Sequence, residues 1–395
     1  MSERIRILTV IRHPVGGIRT YLKYTYGHLD EQKYEFTILT VQGDEAQLIL
    51  KDLEKFGVNL VEVEGRHPLA GMIWRMFLMI RGRRHWDLIH SQGYTAAMVA
   101  VLASVFSRTC HVVTPHEVLR QDQFAGWLGP LKRKILGFLL SRADVIQSVS
   151  HDAQENLVEY LPVLRRHPSK LAVIMNGISV EEFDQGSIEG GSTFRKDNGI
   201  GDEVVLFGFF GRFMPAKGFT VLIDAVEEIA KGNGIKRDFK VVAVNDGAFI
   251  REYKAIIARK GLSNYFLFSG FIPKVAPVMR EMDAVVMPSL WEAFGLLATE
   301  GMIAGVPVIA SNCIGLREAV KDTPAIMVEA GDSHSIAEGM RRFVSDEMRY
   351  KEEARRFIPI AKSRFDSRVS AAKLDNLFDE AINHRMKGTV PAGAG

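Results

Sequence analysis

Residues 204–218 read VVLFGFFGRFMPAKG. An apolar, β-branched and aromatic run breaks at Gly211 into a loop that carries Arg212 and Lys217. A strand ending in a glycine-bearing loop that opens into a helix is how the first unit of a Rossmann-like sheet reads. Glycine lets the backbone approach an anion there, and the following helix points its amino end at the same place. Arg212 suits a bidentate phosphate contact and Lys217 a point-charge contact. Taken alone, the two cations also fit a polar surface loop.

Outward from this stretch, short β-branched runs alternate with longer helical-period segments, the pattern of βαβ units and parallel sheets. In the first half, strands are expected at Ile5–Ile11, Tyr34–Val41, Asn59–Val63, Asp87–Ser91, Cys110–Thr114, Val145–Val149 and Leu171–Met175. Residues 184–202 (DQGSIEGGSTFRKDNGIGD) carry little apolar material and suit a linker opening into a helix. The second half restarts at Val204–Gly208 and continues with Lys240–Val244, Tyr265–Ser269, Ala284–Pro288, Val306–Ala310 and Ala325–Val328. The economical reading is α/β, with two Rossmann-like domains facing a cleft. Expected boundaries are 1–185 for the first domain, 186–202 for the linker and 203–364 for the second domain. A helix over 365–386 and a frayed tail over 387–395 complete the chain.

The 395 residues suffice for two domains, and 47% hydrophobic with 25% charged residues is ordinary for a globular chain. A formal net charge of +3 makes no case for a nucleic-acid partner. Cys110 and Cys313 are too few for a disulfide framework and have no ligand-spaced neighbours, so both read as small buried hydrophobes. The opening MSERIRILTV runs straight into a strand, without the pattern of a signal peptide. Ala96 to Phe106, the longest apolar stretch, is about half of what crosses a bilayer. The expectation is a cytoplasmic chain, or one peripheral on the inner face of a membrane.

Two further segments bear on chemistry. In Pro288–Glu300 (PSLWEAFGLLATE) an apolar helix starts at Leu296, and peptide N–H groups around Phe294, Gly295, Leu296 and Leu297 would be its unpaired donors, a natural diphosphate cradle. Glu300, one to two turns in, can accept hydrogen bonds from a ribose diol, and Glu292 from sugar hydroxyls. Either glutamate alone also reads as a capping or solvated carboxylate. Gly305–Asn312 (GVPVIASN), then Gly315 and Glu318, reads as a tight turn into the next strand.

GRFMPAKG, PSLWEAFGLLATEGMIAGVPVIAS and the following Glu318 together resemble the donor-site signature of the retaining glycosyltransferases of the GT-B fold, family 4. Spacing and order match over about 110 residues, with the Glu-x7-Glu pair intact as Glu292 and Glu300. The resemblance implies that Arg212 and Lys217 bind the donor diphosphate and stabilise the leaving group. It implies that Glu292 lies near the transferred sugar, and that Glu300 holds the ribose. Phe294, Gly295 and Leu296 would form the backbone cradle, Gly270, Phe271 and Ile272 would flank the nucleobase, and the closing helix would cross back onto the first domain; Gly211 and Leu297 complete the expected donor-binding residues.

In the first half, His13–Ile18 (HPVGGI) follows the first strand and opens a helix, and the resemblance makes Gly16 and Gly17 the glycine pair beside donor phosphates and acceptor. It is not G-x-G-x-x-G, and no acidic residue is placed for a dinucleotide ribose, so NAD binding is disfavoured. His116, in TPHE after the strand CHVVT, fits a strand-end position; a structural histidine bonded to backbone is the other reading. The resemblance places it by the reacting sugar, through a hydroxyl or its main-chain carbonyl. Ser150 and Asn176–Gly177 match positions that shape the domain junction.

Two basic stretches stand out. Residues 66–86 hold five arginines and no acid, and 127–142 (WLGPLKRKILGFLLSR) place Lys132, Arg133, Lys134 and Arg142 among aromatic and aliphatic residues. Each fits a membrane-surface helix, or a core-packing helix with a wet basic edge. The expected activity is retaining transfer of a sugar from a nucleotide-diphosphate donor to a hydroxyl, with a glycan or lipid-linked acceptor, and no nucleic-acid partner. With no Asp-x-Asp in the sequence, neither metal nor cofactor is expected. A nucleotide-sugar epimerase on the same fold and a non-catalytic nucleotide-sugar-binding protein stay open.

Overall fold

The computed structural model describes residues 4–82, 84–183, 193–232 and 234–387. The chain divides into two compact units, the first ending at Gly177 and resuming at Ser367, the second spanning Ile178–Asp366. The division falls upstream of the expected linker at 186–202; residues 186–192 of that linker and 388–395 of the expected tail lie outside the described residues.

The first unit holds seven parallel strands: β1 (Ile5–Ile11), β2 (Tyr34–Val41), β3 (Asn59–Val63), β4 (Leu88–Gln92), β5 (Cys110–Thr114), β6 (Val145–Ser148) and β7 (Leu171–Val173). They run in the order β3-β2-β1-β4-β5-β6-β7. Alternation along β1 shows how the sheet is covered. Ile7 and Ile11 pack with the helices Gly17–Thr25 and Ser367–Lys387, whereas Leu8 and Val10 pack with Pro68–Arg81 and Tyr94–Ala103. Both faces are therefore covered, which is why most strand positions on either face are buried.

The second unit holds β8 (Val205–Phe210), β9 (Phe239–Val244), β10 (Phe266–Gly270), β11 (Ala284–Met287), β12 (Val308–Ser311) and β13 (Ile326–Val328), all parallel, in the order β10-β9-β8-β11-β12-β13. Strand order reverses between β1 and β4 and between β8 and β11, so each sheet has its switch point at its first strand, where ligands bind at carboxyl ends. β8 runs two residues past the expected Gly208, because Phe209 and Phe210 stay in register with Ala243 and Val244.

The last helix begins at Ser367, two residues after the expected Phe365. Phe365 ends the preceding helix, and Asp366 leaves it to pair with Ile178. Ala371, Leu374, Leu377, Phe378 and Ala381 then close the core of the first unit. Lys33 and the Tyr34 hydroxyl donate to Asp375, at 2.9 and 2.6 Å, and Lys33 also reaches Asp379 at 2.8 Å. No helix among the described residues is long and apolar enough to cross a membrane.

Candidate functional site

At the carboxyl end of β8 the chain turns at Gly211 (φ 150°) and is anchored by Phe213, which is buried among Phe209, Phe219, Tyr253 and Phe268. This aromatic anchor leaves Arg212 exposed beside it. A short turn, Pro215–Lys217, ends at Gly218 (φ 64°), where a side chain would meet the Pro288 carbonyl at 1.9 Å. Leu290 N–H donates to the Ala216 carbonyl at 2.8 Å. The loops after β8 and β11 are thus locked together, and their charges meet: Lys217 Nζ lies 2.6 Å from Glu292 Oε1, in a pair only 22% and 11% exposed.

Ser289 Oγ donates to the same carboxylate oxygen at 2.8 Å, and Glu292 N–H donates to the Ile314 carbonyl at 3.2 Å. Beneath it, Gly315 (φ 77°) comes so close that a Cβ would lie 2.4 Å from the Glu292 carbonyl. Phe294 is buried against Phe365, and Gly295 (φ 102°) starts the helix Leu296–Ile303. No side chain caps that helix and no acid sits in its first turn, so its amino-end N–H groups and dipole are offered to an outside anion. Gly211 is its neighbour: a Cβ there would lie 3.6 Å from Leu297 Cδ1.

Gly211, Lys217, Glu292 and Phe294–Leu297 therefore come together as one site, with Arg212 on its rim. Glu300 is buried on the same helix. Gly270 (φ 73°) ends the edge strand β10, with Phe271 exposed and Ile272 half-buried after it.

The sequence reading missed the loop between this edge and β8. Asn245, at φ 117°, is one of two non-glycine residues with positive φ among the described residues. Its N–H donates to the Gly270 carbonyl at 2.8 Å, and its side-chain oxygen accepts from Asp246 N–H at 2.8 Å. An asparagine tolerating left-handed backbone through its own hydrogen bond is a signal that was present in VNDG. Cys313 is buried, and burial pushes its thiol up to about 11, which keeps it neutral.

In the first unit, Gly16 (φ 56°) precedes the helix Gly17–Thr25 and takes the place of a side-chain cap. His116 follows β5, its ring 4.8 Å from that of Tyr21 and its Nε2 2.6 Å from Gln92 Oε1. Burial lowers its pKa, so the imidazole is neutral. Behind Gln92 lies a buried polar layer of Thr9, Tyr26, His90, Thr114 and Gln147, one or more from each of β1, β4, β5 and β6, which no periodicity in the sequence announced.

The basic stretches fold as helices, each with a buried and an exposed apolar face. Pro68–Arg81 buries Met72 and Met76 while exposing Trp74, and Gly129–Ser141 buries Leu136 and Leu140 while exposing Leu131, Ile135 and Phe138.

The profile of the family described as glycosyl transferase 4-like domain matches residues 16–177, and that of glycosyl transferases group 1 matches 192–364. A glycosyltransferase of Methanocaldococcus jannaschii is 31% identical over 339 residues, 82% of this chain and 79% of its own. The D-inositol 3-phosphate glycosyltransferase of Corynebacterium glutamicum is 25% identical over 406 residues, 96% of this chain and 95% of its own. Among solved structures, Anabaena HepE in complex with UDP-glucose superposes with a TM-score of 0.78 at 21% identity, covering 95% of this chain and all (100%) of that one. Sucrose-phosphate synthase from Thermosynechococcus elongatus gives a TM-score of 0.78 at 17% identity, covering 96% and 100%. With both sheets, the locked loop pair and these matches in agreement, the chain belongs to the group 1 glycosyl transferases and has the two Rossmann-like units of the GT-B fold.

Proposed function

We propose that the protein is a retaining, metal-independent transferase that moves a sugar from a nucleotide-diphosphate donor to a hydroxyl acceptor on a glycan or lipid-linked precursor. The observation that carries this reading is the Lys217–Glu292 pair, held between two locked loops at an uncapped helix amino end. Departure of the diphosphate builds negative charge where Lys217, Arg212 and the N–H groups of Leu296 and Leu297 supply positive charge already in place. As the diphosphate draws Lys217 towards itself, Glu292 is released to accept from sugar hydroxyls. Glu300 holds the ribose, Gly270–Ile272 flank the base, and His116 with Gly16 and Gly17 serve the sugar and acceptor. That the fold neighbour HepE was solved with UDP-glucose supports a nucleotide-sugar donor.

The test is incubation of purified protein with radiolabelled nucleotide sugars and a membrane extract, with and without EDTA. Label appearing in a glycan or lipid product with its anomeric configuration kept, EDTA present, is the expected result. Isomerised donor would make it an epimerase, binding without turnover a carrier, and inverted product would remove the retaining assignment.

A lipid surface as the place of reaction is favoured by exposure. Trp127 is 90%, Phe138 62% and Trp74 62% exposed, beside Lys132, Arg133, Lys134, Arg75 and Arg81 and with no acid on either helix. Basic aromatic faces of this kind suit anionic headgroups, each cation contributing about 1 kcal/mol near the surface. Flotation with anionic vesicles that weakens in salt, and is lost when Lys132, Arg133 and Lys134 are changed to Glu, is expected. Equal flotation with neutral vesicles, or none, would return these helices to plain core packing.

A further inference from the structure

The buried polar layer of the first unit has a direction, and the direction can be followed atom by atom. It starts at main-chain carbonyls, which only accept. Gln147 Nε2 donates to the carbonyls of Ser148 (2.9 Å) and Ile174 (3.1 Å), so the oxygen of that amide points the other way. Thr114 Oγ1 lies 2.7 Å from that oxygen and must donate its one proton to it. His90 Nε2, 2.7 Å from the same hydroxyl, must then be the donor to it.

Burial lowers the pKa of His90 and keeps its ring neutral, so a proton on Nε2 leaves Nδ1 bare. The Tyr26 hydroxyl, 2.6 Å away, donates there. With its proton committed, the Tyr26 oxygen accepts from Gln92 Nε2 at 3.4 Å and from Thr9 Oγ1 at 3.3 Å. Gln92 Nε2 also stands 3.3 Å from both ring nitrogens of His90, hence over the ring face, where an N–H is attracted and an oxygen repelled. The Gln92 amide is thereby fixed with its oxygen outward, 2.6 Å from His116 Nε2.

We infer that this chain of five hydrogen bonds, from Gln147 through Thr114, His90, Tyr26 and Gln92, sets His116 as the Nε2–H tautomer and leaves its Nδ1 as the acceptor of the ring, with Gln92 its positioning residue. The inference rests on the proposed role of His116 for its use, though not for its existence. Each member polarises the next, and a buried layer in which every proton is assigned has one low-energy state. In the transferase reading, Nδ1 then accepts from a sugar hydroxyl, a role that the opposite tautomer cannot fill.

The tautomer is read without substrate. Long-range proton–nitrogen NMR on protein carrying 15N-histidine, with His116 assigned by loss of its signal in His116→Gln, is expected to show Nε2 protonated and Nδ1 bare at pH 7.5. An Nδ1–H pattern in the unaltered protein overturns the inference outright, whatever the variants do. Gln92→Leu is expected to give a mixture of tautomers and about tenfold slower transfer, the worth of one hydrogen bond. Gln92→Glu, which still offers an oxygen, is expected to keep the single tautomer. Gln147→Leu, which lies five bonds from His116, is expected to mix the tautomers too, whereas an unmixed signal there would break the relay. If the tautomer is as expected but His116→Gln transfers sugar at the normal rate, the relay stands and the assignment of His116 to the reaction falls.

Discussion

Single side chains carry the chemistry proposed for the second unit. Lys217→Ala and Arg212→Ala are each expected to cut turnover by about 10² or more, since a preorganised contact to developing charge contributes roughly 3 kcal/mol. The two should differ in one respect. Removing Lys217 leaves the largely buried Glu292 carboxylate without its cation, so a lower melting temperature should accompany the lost turnover. Removing the exposed Arg212 should leave the melting temperature where it was. Wild-type turnover in either variant would remove both residues from the donor site. Asn245→Ala should cost about 1–2 kcal/mol in a denaturant titration, because alanine has no side-chain bond to hold φ at 117°; no change would mean the loop relaxes freely. The closeness of Lys217 and Glu292 was legible, because the chemistry proposed for them needs fixed residue types at fixed spacing. Ser289, which holds Glu292, was not, since a serine in a loop has many employments. His90 and Gln147 were invisible for a related reason: most of their partners are far away in sequence, and only the fold brings those together.

At the scale of elements, the site is made by close approach. The helix Leu296–Ile303 can present its amino end only because Gly218 passes under Pro288 and Gly315 under Glu292, each in left-handed backbone with no room for a Cβ. Gly218→Ala should therefore combine a backbone cost of about 1–2 kcal/mol with overpacking of about 1–3 kcal/mol. Since the clash is with main chain, the loops must part, and nucleotide affinity by calorimetry should fall together with stability. Retained affinity at lowered stability would mean that loop locking does not shape the cradle. Element positions were the most readable part of the sequence. All thirteen expected strands are present, and the ends that differ do so by one or two residues, as at β8, where pairing with β9 carries the strand on. The change of unit at Gly177 comes several residues before the composition shift that suggests a linker, because the contacts change before the composition does.

For the molecule as a whole, the first unit buries histidines that must stay neutral. His90 is fully buried, and His111, 4% exposed and bonded through Nε2 to Ser91 Oγ, is pushed down to about 3, both by burial. In the unfolded chain a histidine binds its proton near pH 6.5. Between that value and the lowered folded one, the unfolded state holds more protons, so stability rises with pH through this window and is lost as pH falls below about 6.5. Each group should contribute a slope of up to about 1.4 kcal/mol per pH unit. Melting temperature followed from pH 7 to pH 5 should drop, and His111→Gln should flatten the drop. A flat profile in the unaltered protein would mean that these rings gain protons without unfolding.

The first unit is written in two pieces, with the whole of the second inserted between Gly177 and Ser367. The insertion is closed at its own neck, where Ile178 N–H donates to the Phe365 carbonyl at 2.8 Å. This gives translation a forced order. The second unit is complete while the last helix of the first unit has yet to be made, and until then the apolar floor under Leu374, Leu377 and Phe378 stands open to water. A chain stopped at Asp366 should accordingly carry one finished unit and one unfinished. Limited proteolysis should leave a resistant core within the second unit, and equal digestion of both halves would show that the second unit cannot wait alone for its host to close.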